Sequence, residues 1–177
     1  MNSVGLCVPT LNAGTLWSEW LARTVPAAAN FRVLVVDSSS DDETASAAQQ
    51  AGLEVLVIER RDFDHGGTRQ RALLQLDDCD IVIFLTQDAL VVGADALTRL
   101  VAAFEDPQVG AAFGRQLPHQ DATPVAAHAR YFNYPPQSRV VGSKDVPRLG
   151  IKTAFLSNSF AAYRREALLE AGGFPEG

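Results

Sequence analysis

Apolar positions come in short runs separated by amphipathic stretches, and that rhythm predicts a chain that alternates strand and helix. Val4 to Val8, Phe31 to Val36, Leu53 to Ile58, Ile81 to Leu85 and Val109 to Phe113 read as strands. Between them, Gly14 to Val25, Ser40 to Gln50 or Ala51, Thr68 to Leu76 and Ala94 to Phe104 read as helices. The first helix is expected to carry Leu16, Trp17, Trp20 and Leu21 on one face. The acidic start of the second, Ser40-Asp41-Asp42-Glu43, suits the positive end of a helix dipole, and Gly52 stops it. Strands that are apolar on both sides and spaced by helices imply a mostly parallel, doubly wound α/β sheet with helices on both faces.

After Pro118 the rhythm changes. Ala126 to Phe132 reads as a helix that Tyr134-Pro135-Pro136 breaks, and Gln137 to Thr153 as a long loop. Phe155 to Tyr163 then predicts a sixth strand and Arg164 to Ala171 a short helix closed by Gly172-Gly173.

The chemistry gathers where strands end, because the carboxyl edge of an open α/β sheet forms the ligand crevice. Ile81 to Leu85 runs into Thr86-Gln87-Asp88, so Asp88 is placed at the crevice lip. A hard divalent cation prefers such a carboxylate, and a cation there would hold a diphosphate; helix or turn capping is the competing reading. Asp37 ends the second strand and could accept the N3–H of a uracil or thymine ring, or serve turn chemistry among its Ser and Asp neighbours. Pro9-Thr10-Leu11-Asn12 follows the first strand at the same edge.

Phe63-Asp64-His65-Gly66-Gly67-Thr68-Arg69 opens the third helix, where glycines admit close backbone approach and the helix start favours anions. It matches neither a Walker nor a Rossmann glycine pattern. His65 reads as a structural histidine, or as a base or substrate contact. Arg115 could pair with a phosphate or carboxylate, or form a salt bridge to Asp88 or a nearby acid.

Composition narrows the classes. A chain of 177 residues, 47% hydrophobic and 20% charged, suits one globular domain. A net charge of −6 leaves no basic field for nucleic acid. No apolar run approaches the ~20 residues of a membrane span. The N-terminus lacks the pattern of a signal peptide, so a cytoplasmic location is expected. Cys7 and Cys79, both in apolar segments, read as reduced core thiols.

Taken together, these stations resemble a family 2 glycosyltransferase of the GT-A fold. The resemblance lies in Val-Pro-Thr-Leu-Asn, Val-Val-Asp-Ser-Ser-Ser, Gly-Gly-Thr-Arg-Gln, Thr86-Gln87-Asp88 at the family's DXD position, and Ser157-Asn158-Ser159 through Gly172-Gly173-Phe174-Pro175-Glu176. Phe-Asp-His-Gly-Gly-Thr-Arg, Leu-Thr-Gln-Asp-Ala and Gly-Arg-Gln resemble its bacterial rhamnosyltransferase branch. The motifs stand in the family's order across nearly the whole chain.

The resemblance implies that Pro9, Thr10, Asp37, Arg69, Gln87, Asp88 and Asn158 bind a nucleotide-sugar, with Asp88 holding Mg²⁺ or Mn²⁺ on its diphosphate. It implies inverting, metal-dependent transfer of a sugar, rhamnose by best match, from a dTDP- or UDP-sugar to a polysaccharide or lipid-linked glycan. Residues 1–118 would form the donor half and 119–177 the start of an acceptor half, within one structural domain. Thr86 replaces the first acid of the DXD, which implies looser metal binding. The family's catalytic base falls beyond Gly177, so the C-terminal part is expected to be truncated. A non-catalytic nucleotide-sugar binding module is therefore a second expectation. A sugar nucleotidyltransferase fits poorly, since Leu11 to Thr15 holds no Lys or Arg for a triphosphate. With no spanning segment, the acceptor side is left to peripheral membrane association.

Overall fold

The structure is a computed structural model and describes residues 2–175. Six strands form one sheet: β1 (Val4–Thr10), β2 (Arg32–Asp37), β3 (Glu54–Val57), β4 (Ile81–Leu85), β5 (Ala111–Phe113) and β6 (Phe160–Arg164). Seven helices accompany them: α1 (Leu16–Ala27), α2 (Thr44–Gln50), α3 (His65–Gln75), α4 (Ala96–Ala102), α5 (Pro124–Asn133), α6 (Val146–Leu149) and α7 (Arg165–Glu170). The strand order is β3-β2-β1-β4-β6-β5. The four strands β3, β2, β1 and β4 pair in parallel, while β6 runs antiparallel between β4 and β5.

Strand alternation divides the core into two layers. Leu6, Val8, Val35, Ile81 and Ile83 face one side, where Trp17 and Trp20 of α1 and Leu97 and Leu100 of α4 pack. Cys7, Leu34, Val36, Val82 and Phe84 face the other, against Ala72 and Leu73 of α3 and Leu76 just after it. All five residues of β4 are buried, as both faces are covered.

Several boundaries differ from the sequence expectation for local reasons. Helix α1 continues through Pro26 to Ala27, since a proline in the last turn breaks little, and Leu16 faces solvent rather than joining the tryptophans. Helix α2 starts at Thr44 rather than Ser40, because Asp42 spends its carboxylate on the Thr44 amide and hydroxyl and on the Gly14 amide. Helix α3 starts at His65, three residues early, as Asp64 caps it through the Gly67 amide. The expected loop from 137 to 153 holds α6 and two 3-10 turns, and β6 begins only at Phe160.

Candidate functional site

The parallel strands β1, β2 and β4 end side by side, and a cavity of about 250 Å³ opens at that edge. Pro9, Thr10, Arg69 and Gln87 of the expected set line it, together with His65. Ser38, Arg60, Phe63, Leu11 and Thr86 complete the wall. Among the described residues no carboxylate lines it.

Asp37 lies beneath the wall rather than in it, only 1% exposed. Its Oδ1 accepts from the Thr10 hydroxyl at 2.8 Å and the Ser40 hydroxyl at 2.6 Å, and its Oδ2 from the Ser40 amide at 2.8 Å. A buried carboxylate persists only with such donors. It locks the end of β1 to the turn after β2, which the Ser38 amide also ties to the Thr10 carbonyl at 2.9 Å. Asn12 and Ser39, both at positive φ (45° and 55°), sit in the two loops thus joined. Their strain is held by side-chain bonds: the Asn12 amide donates to Ser40 Oγ at 2.9 Å, Asn12 Oδ1 accepts from the Asp41 amide at 2.8 Å, and the Ser39 hydroxyl donates to the Ile58 carbonyl at 2.8 Å.

Gln87 closes the opposite wall. Its Oε1 accepts from the Leu11 amide at 2.8 Å and its Nε2 donates to the Leu11 carbonyl at 3.1 Å, so the amide joins the β1 and β4 ends like one more rung of the sheet. Asp88, the next residue, is exposed and accepts no hydrogen bond among the described residues. Among the described residues no group of three His, Cys, Asp or Glu is placed to hold a metal. A cation held at this lip would have Asp88 as its one protein carboxylate, with the remaining positions left for other oxygens.

Arg69 reaches the cavity from α3, 8% exposed, with one guanidinium nitrogen donating to the His65 carbonyl at 2.6 Å. Its Nε and the Ser38 hydroxyl are buried without a partner among the described residues. Two unpaired polar atoms at one cavity are what a polar ligand would satisfy. Arg69 also bears on Tyr163 of β6: burial pushes that phenol up to about 12, while the nearby guanidinium opposes the shift. The Tyr163 hydroxyl donates to Asn158 Oδ1, so Asn158 stands at the mouth of β6, outside the cavity wall. Arg115 donates to the Tyr134 carbonyl at 3.0 Å and makes no salt bridge among the described residues. Gly66 and Gly67 have a steric purpose: a Cβ at Gly66 would sit 1.7 Å from the Pro175 carbonyl oxygen, where the segment after α7 folds over the start of α3. Glu176, expected in that segment, lies outside the described residues.

The sequence reading did not single out Ser38, Arg60 or Phe63 as cavity walls. Ser38 carried a signal, being the neighbour of Asp37 at a strand end. Arg60 and Phe63 are brought in by a 3-10 turn at Arg60–Asp62 that no periodicity marks.

The family model described as glycosyl transferase family 2 matches residues 6–172. The O-antigen chain rhamnosyltransferase RfbN of Salmonella typhimurium is 47% identical over 175 residues, covering 98% of this chain and 56% of that protein. WbaN of Salmonella anatum, of the same description, is 46% identical over 178 residues, again covering 56% of its length. The chain thus spans little more than half the length of these relatives. Among solved structures, the mannosyltransferase PcManGT from Pyrobaculum calidifontis, in complex with GDP-Man and Mn²⁺, superposes with a TM-score of 0.69 at 26% identity. That match covers 98% of this chain and 48% of the other.

Proposed function

We propose, on the premise that this chain belongs to glycosyl transferase family 2, that the cavity at the ends of β1, β2 and β4 binds the nucleotide diphosphate of a sugar donor. The reaction is inverting transfer of a sugar, rhamnose by relationship, from a dTDP- or UDP-sugar to a polysaccharide or lipid-linked glycan. The cavity with the unpaired Arg69 Nε and Ser38 hydroxyl carries the reading.

In this account Thr10, Pro9 and Ser38 meet the base or ribose, and Asp37 contributes mainly by fixing Thr10 and Ser40. Arg69 pairs with the phosphates, Gln87 sets the width of the cleft, and Asn158 lines its sugar side. Residues 1–118 form the donor half, and 119–177 begin the acceptor half. A Mg²⁺ or Mn²⁺ ion shared by Asp88 and the diphosphate would supply charge neutralisation for the leaving group. Having a single protein carboxylate, the chain holds the ion well only when the nucleotide is present.

A second reading, nucleotide-sugar binding without turnover, is supported by a cavity wall in which no described residue is a carboxylate, since inverting transfer needs a base. One assay separates the two. The chain is given dTDP-rhamnose, Mn²⁺ and a lipid-linked glycan acceptor, and the acceptor's mass is followed. Transfer supports the enzyme reading; donor binding without transfer supports the second; neither binding nor transfer refutes both.

A further inference from the structure

Helix α3 brings two residues to the donor cavity, His65 and Arg69, and a stretch of chain about a hundred residues on lies across its first turns. After α7 the backbone turns on Gly172 and Gly173, both at positive φ (99° and 72°). Their amides donate to the Leu169 and Leu168 carbonyls at 3.0 and 2.8 Å, which closes that helix. The next two residues reach α3. The Phe174 amide donates to Gln70 Oε1 at 2.9 Å, one residue after Arg69. A Cβ at Gly66, one residue after His65, would run into the Pro175 carbonyl oxygen. A Cβ at Gly173 would run into the Gln70 amide group. Both approaches therefore need glycine.

The same segment is fixed to the sheet by one ring. Phe174 meets Phe84 of β4 edge-on at 5.1 Å and Tyr163 of β6 edge-on at 5.5 Å. Those two strands are neighbours in the sheet, so Phe174 seats the segment on both while its backbone grips α3. Arg69 is the cavity residue this arrangement bears on. Its guanidinium donates to the His65 carbonyl at 2.6 Å, a bond that stays within α3. The side chain thus goes where the first turn of α3 goes, and its Nε is left for a ligand.

We propose that Gly172 to Pro175 form a clasp that positions Arg69 for the nucleotide diphosphate, with Gln70 and Phe174 as positioning residues outside the cavity wall. The inference rests on the donor reading of that cavity. Holding Arg69 in advance spares binding the cost of ordering a long side chain. The coupling is reciprocal, so an occupied cavity steadies the clasp in turn.

Gly66→Ala and Gln70→Ala test it. The first drives a methyl group against Pro175, and the second removes the acceptor of the Phe174 amide. Both place a good helix former in α3, and Leu74→Ala, exposed on the same helix, is the control. Without nucleotide, NMR should show the Arg69 Nε–H exchanging with water about tenfold faster in both clasp variants and unchanged in the control. Calorimetry of dTDP with Mn²⁺ should show binding weakened roughly three- to tenfold in both. In an Arg69→Ala background the same substitutions should add no further loss. In the unchanged protein dTDP should slow exchange of the Phe174 amide. Equal losses in the Arg69→Ala background would overturn the proposal, because the segment would then merely hold the fold. So would a dTDP affinity that both clasp variants leave unchanged. If dTDP does not bind the unchanged protein, the donor reading falls, and Arg69 Nε–H exchange alone decides the clasp: faster exchange upholds it and unchanged exchange overturns it.

Discussion

Replacing Thr10→Val asks whether the buried Asp37 carboxylate is the clasp of the strand ends. Valine keeps the shape of threonine and removes one donor from a carboxylate that has three. A hydrogen bond to a charged group is worth about 1.5–3 kcal/mol, and at 1% exposure no bulk water replaces it. The expected loss is about 2 kcal/mol, or a fall in Tm of roughly 4–8 °C for a chain of this size. Thr10→Ser, which keeps the hydroxyl, should lose less than half of that. Ser40→Ala removes the second donor to the same Oδ1, so the double variant should cost about 1 kcal/mol more than the sum of the two singles. Chemical denaturation of the unchanged protein and the four variants measures all of this. A Thr10→Val loss below about 0.5 kcal/mol, with additive behaviour, would refute the clasp.

Gln87→Ala should speed hydrogen exchange at the Leu11 amide by about tenfold while leaving the β4 amides protected, since both bonds end on Leu11. Burial pushes the Cys7 thiol up to about 12 from an ordinary value near 9, with Arg69 opposing. A raised folded value means stability is intact below about pH 9 and is lost progressively as the pH rises towards 12, because the unfolded chain ionises first. Cys7→Ala should flatten that alkaline decline in urea midpoints, and the native thiol should resist alkylation at neutral pH. Gly114→Ala would place a Cβ 2.0 Å from the Phe160 ring and should lower stability by about 1–3 kcal/mol, read from the thermal midpoint.

The parallel part of the fold was legible in the sequence because β1, β2 and β4 are apolar on both faces, and only a doubly covered sheet buries such strands. The place of β6 was not legible. Its five residues pair antiparallel between β4 and β5, and strand direction leaves no trace in local periodicity. At the site, Pro9, Thr10, Arg69 and Gln87 could be placed because each adjoins a strand end or helix start. Asp37 was placed at the right edge, but whether its carboxylate faces the cavity or the interior depends on Thr10 and Ser40, one of them 27 residues away. Phe63 and Arg60 enter the wall through a turn with no sequence period, and Arg60 also pairs with Asp41 across the loops.

The account rests most directly on a nucleotide diphosphate occupying the cavity beside Arg69. Calorimetric titration of dTDP with and without Mn²⁺ measures it. The account predicts saturable binding that Mn²⁺ strengthens, a metal effect that Asp88→Asn abolishes, and roughly a hundredfold loss in Arg69→Ala, the scale of an unpaired charge-assisted contact. Absence of saturable binding, or binding that Arg69→Ala and Asp88→Asn both leave unchanged, would contradict it.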